Sequence, residues 1–81
     1  MTNNDENLSM KAIDLCRSIN RKAAHEYAAR GIAPEDISLA ALYSAFDVVE
    51  AAKGPGMVAV EWLRTGLDLI ERQVMTGQAV Q

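Results

Sequence analysis

The sequence predicts an all-α fold, a small three-helix bundle with helices at about residues 8–30, 35–53 and 57–76 joined by short turns. Three observations predict it. Apolar side chains recur at helical spacing in three separate segments. Glycine and proline fall between those segments, at Gly31, Pro34 and Gly54-Pro55-Gly56. Strand-type alternation does not persist anywhere along the 81 residues, nor is there an internal repeat.

At 100° per residue, Leu8, Ala12, Leu15, Cys16, Ile19, Ala23 and Tyr27 share one arc of the first helix, with Asp14, Arg17, Ser18, Arg21 and His25 opposite. Gly31 stands where a left-handed residue closes a helix, and Arg30 suits the negative end of the helix dipole. Pro34 lacks the N–H that a first turn leaves unpaired, and Glu35 and Asp36 favour the positive end, so a second helix starts there. It stops at Lys53-Gly54-Pro55-Gly56, where glycine permits positive φ and proline cannot continue a helix. The third helix begins at Met57 and ends at Thr76-Gly77. Residues 1–7 hold no apolar anchor after Met1 and are expected to form a mobile tail. Residues 8–77 form the single expected domain, and residues 78–81 fray.

The second and third helices carry apolar arcs of about 200°, roughly twice the stripe of an ordinary surface helix. A lone three-helix bundle leaves part of such an arc wet. The cheapest cover is a second copy of the chain, since symmetric dimers are the commonest soluble oligomers. The expected interface residues are Leu39, Phe46, Val49, Trp62, Gly66 and Leu69. Gly66 interrupts a helix where alanine is about 1 kcal/mol better, which points to close approach of another helix backbone.

Composition narrows the function classes. The chain is 49% hydrophobic and 23% charged with net charge −3, so it has no global attraction for nucleic acid or anionic membrane. No apolar run approaches the roughly 18 residues of a membrane span, and the polar start does not read as a signal peptide. The single cysteine excludes an internal disulfide and fits a cytoplasmic setting. Charge is uneven: residues 8–31 hold five basic and two acidic side chains, whereas residues 32–53 hold four acidic and one basic. Within the first segment Arg17 and Arg21 form a charged edge suited to a partner.

Catalytic chemistry finds no foothold. Cys16 and His25 are the only thiol and imidazole, about 13 Å apart along one helix axis and on different faces, so they make no dyad. Cys16 is expected in the core and His25 in solvent. No cluster has metal-ligand spacing, and Asp47 and Glu50 read as a solvated strip. A phosphate-binding loop places its lysine after the glycines, but Lys53 precedes them. The expectation is therefore a non-enzymatic, homodimeric helical regulatory module that binds a further, unidentified protein, with no cofactor or metal, no membrane and no preferred nucleic acid. The alternative is a small acidic inhibitor that blocks a larger enzyme or nucleic-acid-processing complex, as phage-type antagonists do. The third is a weak DNA-binding regulator using Arg17 and Arg21.

Overall fold

The computed structural model describes residues 2–77, with side chains from Ser9 onward. It is all-α: helices α1 (Thr2–Ala29), α2 (Pro34–Lys53) and α3 (Met57–Met75) follow one another, and no strand occurs among the described residues. The expected boundaries of α2 and α3 hold to within one residue at each end. Helix α1 starts at Thr2 instead of near Leu8, because its backbone ladder extends past the point where the apolar stripe gives out. The expectations for Met1 and for residues 78–81 lie outside the described residues.

Each helix stops for a local reason. At the end of α1, Gly31 N–H donates to the Ala28 carbonyl at 3.0 Å and Ile32 N–H to the Tyr27 carbonyl at 3.2 Å. This bond pair is a Schellman motif, and it requires the left-handed φ of 86° that Gly31 adopts. Arg30 lies just past the last helical residue, and its guanidinium meets Glu26 at 3.4 Å on an exposed surface. Helix α2 opens on Pro34, with the Ala33 carbonyl accepting from Ile37 N–H at 3.0 Å and Glu35 and Asp36 in the first turn. Helix α3 ends where Thr76 N–H donates to the Arg72 carbonyl and Gly77 adopts a φ of 79°.

The chain divides into two compact units, Met1–Ser38 and Leu39–Gln81. In the first, α1 is barely covered. Of its side chains from Ser9 to Ala29 only Arg17, Ser18, Ala23 and Ala24 are half-buried, and none is buried. The stripe expected to face inward is exposed, including Leu15, Ile19, Tyr27 and Cys16. The core placement expected for Cys16 is therefore corrected: α1, a loop and one turn of α2 hold too few apolar groups to bury that stripe.

In the second unit the rest of α2 and α3 form a helical hairpin, since a connection of three residues makes consecutive helices antiparallel neighbours. Its core is Val49 at 9% exposure and Ala59 at 0%, with Ala45, Phe46, Val60 and Leu63 half-buried. Val49 and Ala59 each lie within five residues of the turn. Burial is thus concentrated at the closed end of the hairpin.

A Cβ on Gly31 meets nothing within 4 Å, so the cost of Gly31→Ala is purely the left-handed backbone. That substitution is expected to destabilise the chain by about 1–2 kcal/mol, readable as a fall in thermal midpoint with the helical circular dichroism of the folded state unchanged.

Candidate functional site

The turn between α2 and α3 is held by its own groups. Gly54 takes a φ of 136° and its N–H donates to the Glu50 carbonyl at 3.2 Å. A Cβ there would stand 3.3 Å from Val58 Cγ1, a tight contact added to a backbone conformation that side chains rarely adopt. Gly56, with a φ of 61°, caps α3 and donates its N–H to Glu50 Oε2 at 3.2 Å. The carboxylate occupies the positive end of α3, where an anion would otherwise sit. Glu50, read from the sequence as part of a solvated strip, is half-buried and holds the turn closed. Lys53 turns its ammonium over the Trp62 ring, 5.9 Å from the centroid.

Away from the turn, the hairpin presents apolar surface that its own two helices leave open. Leu39, Leu42, Tyr43, Phe46 and Asp47 line a groove of about 350 Å³ on α2. Leu39, Leu42 and Phe46 follow one another at spacings of three and four, which places them on one side of the helix. Tyr43 and Asp47 complete the lining, and Asp47, read from the sequence as part of a solvated strip, supplies its only charge. On α3, Trp62 is 51% exposed and Leu69 50%. The spacing of i, i+3, i+4 and i+7 around Leu39 was the available signal for the groove, and it extends to Tyr43 and Phe46.

The six expected interface residues therefore separate. Leu39, Trp62 and Leu69 are exposed, Phe46 and Gly66 are half-buried, and Val49 is taken up by the core of the hairpin itself. Among the described residues, nothing beyond the helix's own backbone stands within 4 Å of where a Gly66 Cβ would be, so the close approach expected there is not made among them. Arg21 is exposed, whereas Arg17 is half-buried and already engaged. Cys16 and His25 are both exposed on α1. Among the described residues, no group of three or more His, Cys, Asp or Glu side chains is placed to hold a metal ion, and no helix is long and apolar enough to cross a membrane.

Comparison with protein-family models, with curated proteins and with solved structures finds no match for this chain.

Removing the Glu50 carboxylate leaves Gly56 N–H without its acceptor. Glu50→Ala is expected to cost about 1–2 kcal/mol, while Glu61→Ala on the exposed ridge stays within about 0.5 kcal/mol; chemical denaturation of the two variants side by side checks this.

Proposed function

We propose that the protein is a non-enzymatic, homodimeric helical module that acts by binding another protein. The observation that carries this reading is the imbalance between buried and exposed apolar side chains. Val49 and Ala59 are the only buried ones among the described residues, while twelve large hydrophobic residues between Leu39 and Met75 are exposed.

Placing the exposed apolar side chains of α2 and α3 against a second copy satisfies both chains at once, because an isologous interface uses the same patch twice. Four features of the patch fit such a role: an aromatic anchor at Trp62, a second aromatic at Phe46, an apolar groove on α2, and few charges between them.

Sedimentation equilibrium across the micromolar range tests the reading. The wild-type chain is expected to have twice the mass of one chain. Trp62→Asp introduces a charge into the desolvated centre of the contact and is expected to raise the dimer dissociation constant at least about 30-fold, the equivalent of about 2 kcal/mol. A well-folded single chain at all concentrations, unaffected by Trp62→Asp, refutes the dimer.

A further inference from the structure

We draw no further inference here: the strongest candidate, the open apolar groove that Leu39, Leu42, Tyr43, Phe46 and Asp47 line on α2, is an unpartnered helix face, and nothing in the structure shows what covers it.

Discussion

The structure depends on a shortage of cover. Folding fixes backbone and side-chain freedom at a cost of order 1–2 kcal/mol per residue, which burial of apolar surface has to offset. In this chain α2 and α3 hold ample apolar side chains, yet a two-helix hairpin presents each helix with one neighbour and leaves the rest of its circumference open. Val49 and Ala59 are buried near the turn, whereas Val48, Met57 and Val58, also near it, are exposed, so burial follows helix face as well as distance from the turn. Trp62 and Leu69, farther along α3, remain half exposed.

The turn has the complementary role of fixing which faces are left over. Gly54 and Gly56 both take positive φ, and a Cβ on Gly54 would press on the Val58 side chain. Glu50 then ties the end of α2 to the start of α3 through Gly56 N–H. With the turn fixed, the rotation of each helix about its own axis follows, and so does the identity of the exposed arc. Lys53 over Trp62 adds a weak contact of the same kind, worth about 0.5 kcal/mol at an exposed site.

How much of this was legible in the sequence depended on whether a feature is local. Helix boundaries at Gly31, Pro34, Lys53-Gly54-Pro55-Gly56 and Gly77 were readable because each is set by backbone chemistry within a few residues. The excess apolar perimeter of α2 and α3 was readable for the same reason, as a property of each helix alone. Glu50 was misassigned because a carboxylate on a polar strip looks solvated until the chain turns back and offers it Gly56 N–H, six residues later. Asp47 was placed on a solvated strip by its position on the helix, although a groove is bounded by its rim as well as its floor. Leu15, Cys16 and Ile19 show the opposite error. A helical wheel identifies which residues would be buried together, but it does not supply the surface that buries them.

That distinction bears on what kind of molecule the chain is. An apolar stripe on a helix records a contact that the helix is suited to make, and within a single subunit most of those contacts are not made here. In the homodimer proposed above, folding and association would draw on the same side chains, so stability would depend on concentration, through mass action, as well as on sequence. A substitution on the open face would then act twice, once on the stability of the chain and once on its affinity, and the two effects need not share a sign.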